Sequence, residues 1–373
     1  MIKSFCGLRG EASLALALAA AALMVTACSN SAGGGTPPPT QSVAQRRPLP
    51  PPSPIPFVYD TVDYPSASIT EVTGINDHNG IIGTYETSSS GVQSFTAGAP
   101  PYKTFSKENF NAASVVMQST AFVNAATTKE AGWAVNPNGQ GKGTYGLIHD
   151  PNGNWDTLRK VSEGKGCIFM QLFGINEAGV AVGYFTPSNA SGGCTPTTLL
   201  YSLANNNYTT GLGPTSGTAV ITGINNLADL VGYVQPATGN PVEGWYMLCN
   251  GGGSNEGCTG SSYGPVQYFA LNSEPTTLNG INDNRLAVGT VAGSGSTSQG
   301  FIANLATGSS SVQYIDAGGN GASSSTFLNG INNNNYICGW YAKAGTSNYQ
   351  GFVGIPVVIG NGRKRRSYGV TEK

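Results

Sequence analysis

One phrase recurs along this chain of 373 residues: Gly-Ile-Asn, then, six positions after the asparagine, an apolar residue followed by glycine. It reads Gly74-Ile75-Asn76 with Ile82-Gly83, Gly174-Ile175-Asn176 with Val182-Gly183, and Gly223-Ile224-Asn225 with Val231-Gly232. Gly280-Ile281-Asn282 with Val288-Gly289 and Gly330-Ile331-Asn332 with Cys338-Gly339 follow. A worn copy reads Phe122-Val123-Asn124 with Ala131-Gly132, one residue longer before its glycine. Anchored on the asparagines, the steps are 48 (76 to 124), 52 (to 176), 49 (to 225), 57 (to 282) and 50 (to 332) residues. Self-similarity at this period marks a solenoid, a propeller or an array, because one such unit cannot bury its apolar face alone.

Each repeat parses into four short strands. The first ends at Gly-Ile-Asn, and a tight turn follows, Asp77-His78-Asn79-Gly80 in the first copy, where Asn-Gly tolerates the positive φ that hairpin turns require. The second strand is apolar, as in Leu230-Val231-Gly232-Tyr233-Val234. The third opens with glycine and an aromatic, as in Gly244-Trp245, Gly300-Phe301 and Gly351-Phe352; Val312-Gln313-Tyr314-Ile315 exemplifies the fourth. Short strands, evenly spaced turns and no helical period predict an all-β fold, and four strands per unit is the grammar of a propeller blade. The expected architecture is a six-bladed β-propeller of four-stranded antiparallel blades over residues 57–360.

The last repeat runs out after Gly351-Phe352-Val353, while Phe57-Val58-Tyr59-Asp60 precedes the first as a fourth strand without its own third. Residues 57–65 are therefore expected to close the ring by completing the sixth blade. In the rival reading residues 355–359 supply that strand themselves.

Only 10 % of the chain is charged and its net charge is −1, which argues against a nucleic-acid footprint. Residues 1–27 form a targeting segment: Lys3 and Arg9, then an apolar stretch from Ala12 to Ala27, too short for a membrane span of ~20 residues. It ends Val25-Thr26-Ala27-Cys28, which resembles the lipobox of bacterial lipoproteins. That resemblance implies lipidation at Cys28, a membrane partner held through the lipid, and export to the outer membrane or cell surface. An ordinary secretory signal with an incidental cysteine is the alternative. Residues 28–56, rich in glycine and proline, read as an extended tether, and residues 361–373 as a basic tail.

Export permits disulfides. Cys249 and Cys258 bracket a glycine-rich loop that closes easily, and Cys167 with Cys194 is the next candidate pair. Cys338 fills a slot held by valine or isoleucine elsewhere and reads as a buried hydrophobe. With no C-x-x-C and only two histidines, His78 and His149, neither a metal nor a cofactor is expected.

Gly-Ile-Asn, an apolar–glycine pair and Gly-Phe together resemble the HAF-type extracellular repeats of bacteria over roughly residues 57–355, at five of six units. The resemblance implies an exported or surface-attached repeat protein. It implies no catalytic residues, because that family has no general assigned activity.

Loops from second to third strand and between repeats vary in length, and variable loops on a rigid scaffold are where binding residues concentrate. Tyr102, Phe105 and Tyr349 are the ligand-binding candidates. The repeated asparagines read as turn formers before calcium ligands. Tyr184, Tyr233, Trp340 and Trp133 read as inter-blade packing before a sugar platform. No catalytic motif occurs. The expected function is non-enzymatic recognition of a glycan or protein; the alternative is a hydrolase or lyase acting on envelope polysaccharide, with two carboxylates converging at the channel mouth.

Overall fold

The computed structural model describes residues 54–357 apart from 89, 113, 125–126, 137–142, 151, 159–168, 187–195, 238, 251–257, 259–261, 294–296, 307–310, 319–323 and 344–347. The expected signal segment, most of the tether and the basic tail lie outside these residues. Among the described residues every element is a strand. A single N-terminal strand, Phe57–Val62 (β1), precedes five groups of four and one of three. Repeat one holds Ile69–Ile75 (β2), Ile81–Thr87 (β3), Ser90–Ala97 (β4) and Phe105–Lys107 (β5). Repeat two holds Ser114–Asn124 (β6), Thr127–Asn136 (β7), Gly143–His149 (β8) and Trp155–Leu158 (β9). Repeat three is Met170–Ile175 (β10), Val180–Phe185 (β11), Thr197–Ser202 (β12) and Asn207–Thr210 (β13). Repeat four follows with Thr218–Ile224 (β14), Leu230–Gln235 (β15), Glu243–Met247 (β16) and Gln267–Phe269 (β17). Repeat five comprises Thr276–Ile281 (β18), Leu286–Ala292 (β19), Ser298–Asn304 (β20) and Val312–Ile315 (β21). The last group has three strands of its own, Ser324–Ile331 (β22), Ile337–Lys343 (β23) and Tyr349–Pro356 (β24).

Repeats two to five each form a separate four-stranded antiparallel sheet, with strands in chain order. Repeats one and six do not, which corrects the expectation of six separate sheets. They share one eight-stranded sheet, joined by a single parallel bridge between Ile69 and Tyr349. The short 63–68 connection brings the start of β2 back beside β24. On that same edge of β24, away from β23, β1 pairs antiparallel from Phe57↔Pro356 to Val62↔Gly351.

The six first strands touch in cyclic order, β2 to β6, β10, β14, β18, β22 and back to β2. In five of them, all but β6, the pairing to the second strand shifts register just before the repeat glycine, as between Val72 and Gly74 or Ile221 and Gly223. This β-bulge bends the strand and increases its twist where six strands converge. Glycine is required because the neighbouring backbone is so near: a Cβ on Gly74 would stand 2.9 Å from Ser119 Cα, and one on Gly223 3.0 Å from Gly280 Cα.

The second-strand glycine answers a different constraint. A Cβ on Gly83 would overlap the Glu71 carbonyl oxygen and come within 2.6 Å of the Phe95 ring. The same vacancy seats Phe301 opposite Gly289, Trp245 opposite Gly232 and Phe352 opposite Gly339. All four rings are fully buried. Each contributes ~1.5–3 kcal/mol of burial, so the spaced Gly and Gly-aromatic signatures are two halves of one packing unit. The core lies between sheets: Val180, Val182 and Leu200 of repeat three pack with Ala219, Ile221 and Leu230 of repeat four.

In repeat two the pairing shifts register twice, between Met117 and Ser119 and again between Phe122 and Asn124, and it is the first shift that faces Gly74 of repeat one, at Ser119. Ser119-Thr120-Ala121 therefore occupies the place of Gly-Ile-Asn, which corrects the alignment on Phe122-Val123-Asn124. Ser119 stands thirteen positions before Gly132, where Gly74 stands nine before Gly83. The additional residues extend the β6–β7 pairing to Asn124↔Thr127. Anchoring on the asparagine hid this insertion.

Candidate functional site

The repeat asparagines meet at one end of the central axis. Four of the five side chains, all but that of Asn76, work twice. The Oδ1 accepts backbone N–H groups of its own turn: His78 and Gly80 on Asn76 (both 3.0 Å), Asp229 on Asn225 (2.8 Å), Leu286 on Asn282 (3.0 Å). The Nδ2 of those four donates to the backbone carbonyl of the next repeat's asparagine. Asn176 donates to Asn225 (3.1 Å), Asn225 to Asn282 (3.0 Å), Asn282 to Asn332 (2.9 Å) and Asn332 to Asn76 (2.8 Å). The relay breaks at repeat two, where Ala121 offers no amide. All five asparagines are buried. Their amide groups hold turns and join repeats, so the turn-forming reading is the one this geometry supports.

A second tier lies beside it, formed by the next residue of each repeat. The backbone N–H of Asn226 donates to Asp283 Oδ1 (2.8 Å), that of Asp283 to Asn333 Oδ1 (2.7 Å) and that of Asn333 to Asp77 Oδ1 (2.7 Å). Asn333 Nδ2 also donates to Asp77 Oδ2 and to Asp283 Oδ2, both at 2.7 Å. Glu177 completes this tier, its pKa raised by partial burial and then by the charges of Asp77 and Asp283. Carboxylates thus converge at the channel mouth, the arrangement named above as the mark of the catalytic alternative.

The space they enclose decides what can enter. The mouth cavity measures ≈ 60 Å³ and a second cavity deeper along the axis ≈ 80 Å³. Ligand pockets for small molecules run to about 300–1,000 Å³, so these volumes admit a few waters and no sugar ring. The inner cavity is lined by the bulge residues, several of which bind the next repeat. Thr73 Oγ1 donates to Met117 O (2.7 Å), Thr222 Oγ1 to Leu278 O (2.6 Å) and Asn329 Nδ2 to Val72 O (2.9 Å).

The ligand-binding candidates fall elsewhere. Tyr102 lies between β4 and β5, at the asparagine end, and not on a connection between repeats. It is only 2 % exposed, and its hydroxyl donates to Asn79 O at 3.0 Å. Phe105 opens β5 and packs its ring 5.3 Å from Phe95 and 5.4 Å from Tyr64. Both are corrected to packing residues, because their rings fold under the strand edge to cover the repeat-one core. Tyr349 opens β24 at the opposite end, half-buried, its ring 4.7 Å from Trp340. Trp133, Tyr184, Tyr233 and Trp340 are all buried between sheets. Cys249 and Cys258 form a disulfide with a Cα–Cα distance of 5.8 Å, and the Cys249 N–H donates to Asp229 Oδ1 at the asparagine end. Cys338 is a buried free thiol. Cys28, Cys167 and Cys194 lie outside the described residues.

Sequence reasoning missed one constellation. Glu108 follows β5 in repeat one; Glu130 and His149 pair across β7 and β8 of repeat two. His149 Nδ1 lies 3.1 Å from an oxygen of each glutamate, and both glutamates are buried. Hydrogen bonds to Glu108 and then Glu130 hold the imidazole pKa up to about 10, against the lowering effect of burial. Burial raises the Glu130 carboxyl. The only sequence signal was the scarcity of histidine, since the three residues lie 22 and 19 positions apart.

Stacked four-stranded sheets whose first strands ring a common axis define an all-β propeller. No protein-family model and no curated protein matches the chain. Among solved structures it is similar to TolB from Acinetobacter baumannii, at 12 % identity and a TM-score of 0.44, over 74 % of this chain and 64 % of that one. It is also similar to a mutant of the Aleuria aurantia lectin in complex with Fucalpha1-6GlcNAc, at 11 % identity and a TM-score of 0.42, over 83 % of this chain and all of that one (100 %).

Proposed function

We propose that the chain is an exported, lipid-anchored surface module: a six-bladed propeller, closed by β1, that binds glycan or protein without catalysis. Two features support six blades and N-terminal closure: the cyclic order of the first strands and the six-residue pairing of β1 with β24. The observation that carries the binding reading is the narrowness of the axis. The polar groups repeated at its mouth are spent on one another, and the space they leave excludes a saccharide. Recognition then falls to the variable loops at the end opposite the asparagines, of which residues 187–195 and 344–347 lie outside the described residues. Anchoring follows from Cys28 and the tether, and glycan or protein from the surface location these imply. Screening the folded chain against glycan and surface-protein arrays tests the reading, with retention by one partner class expected. Absence of any partner above background overturns it. Cys28→Ser is expected to move the chain from the membrane fraction to the soluble one.

The catalytic alternative, a polysaccharide hydrolase or lyase, draws on Asp77 and Glu177 at the mouth. Release of reducing ends or unsaturated sugars from envelope polysaccharide, abolished in Asp77→Asn, would replace the binding reading with it.

A further inference from the structure

We propose that Glu108, Glu130 and His149 form a mononuclear site for a divalent metal ion of the zinc class, bound by one oxygen from each carboxylate and by Nδ1 of the imidazole. The three ligand atoms lie within 4.8 Å of one another, and the two nitrogen–oxygen separations are both 3.1 Å. Zinc bonds of ~2.0–2.2 Å in a tetrahedron place neighbouring ligands about 3.3–3.5 Å apart, so a small relaxation of the side chains fits the ion. Nitrogen and oxygen donors in this combination suit zinc.

Two further observations support a bound cation over a self-contained cluster. A single Nδ1 faces one oxygen from each of two buried carboxyl groups, and among the described residues no lysine or arginine pairs with either glutamate. The ligands are also held from behind. Thr128 Oγ1 donates to Glu130 Oε1 at 3.0 Å, Thr96 Oγ1 lies 3.4 Å from Glu108 Oε1, and Trp155 stacks on the imidazole at 4.2 Å with planes 3° apart. Hydrogen-bonded outer partners of this kind fix ligand orientation in metal sites. Because Glu108 belongs to repeat one and the other two ligands to repeat two, the ion would clip adjacent repeats at one of the two junctions where the asparagine relay is missing.

The chain has two histidines, so zinc binding reads out directly in the imidazole proton spectrum of the purified full chain, freed of metal by chelation. The exposed His78 is assigned with His78→Asn. Titration with zinc chloride is expected to shift the His149 resonance to completion at one equivalent, leave His78 in place and raise the thermal midpoint. Glu130→Gln and His149→Gln are expected to lose the one-equivalent transition. A His149 resonance indifferent to zinc overturns the proposal, as does wild-type stoichiometry and affinity in either folded variant. Should both variants fail to fold, the wild-type titration alone decides it.

Discussion

Asn332 Nδ2 donates to the backbone carbonyl of Asn76 at 2.8 Å, joining residues 256 positions apart in the chain. The same bond recurs between successive repeats, so the join between the two ends of the chain is chemically identical to an internal one. An asparagine within such a relay, Asn282, holds two turn N–H groups and one neighbouring carbonyl. Asn282→Ala is expected to cost ~2–4 kcal/mol, because it deletes these bonds and strands buried backbone groups. Asn76 lacks the relay partner in repeat two, so Asn76→Ala is expected to cost less. Urea unfolding of the two variants side by side measures the difference.

Glycines of the second strands are expected to tolerate no side chain. In Gly183→Ala and Gly339→Ala the new methyl would overlap the carbonyl oxygens of Gln171 and Phe327, which are backbone and cannot rotate away. A loss of at least ~3 kcal/mol is expected, read as a lowered thermal midpoint or loss of folded yield. Gly98→Ala, where nothing lies within 4 Å, serves as the neutral control.

Glu71 gives stability a pH dependence of defined sign. Burial raises its carboxyl pKa from 4.5 to about 8, and its Oε1 has no hydrogen-bond partner. Between those pH values the folded chain holds a proton that the unfolded chain releases. The contribution of this group is therefore most favourable below pH 4.5 and is lost as pH rises towards 8. Glu71→Gln keeps the neutral shape and removes the titration. Its stability relative to wild type is expected to grow between pH 5 and pH 8, measured by urea midpoints at both.

The Cys249–Cys258 disulfide closes a short loop, with a sequence separation of 9. In the chain-entropy model such a closure stabilises by about 2–3 kcal/mol. Cys249→Ser/Cys258→Ser is expected to lose that amount in urea unfolding. The Asp229–Arg285 pair beside it (2.9 Å) would remain, since it joins two side chains and the Cys249 N–H that also reaches Asp229 is backbone, kept in the variant.

Local chemistry determined much of this protein. Glycine spacing, Asn-rich turns and Gly-aromatic pairs each require a particular backbone within a few residues, so the strand pattern, turn positions and the aromatics Trp245, Phe301 and Phe352 were legible in the chain, while Phe95, which follows a serine, was not. The roles of the asparagines were half legible: their turn bonds are local, while their amide donations reach the next repeat across 49 to 57 positions. Tertiary structure alone decided the rest. Tyr102 looked like a loop aromatic until the fold laid it over Asn79, and the four-residue extension of repeat two shifted the alignment without altering its pattern. Glu108, Glu130 and His149 carry no motif, because their meeting depends on how two sheets pack. A sequence records what each residue demands of its neighbours along the chain; only packing between sheets sets which distant groups share one buried space.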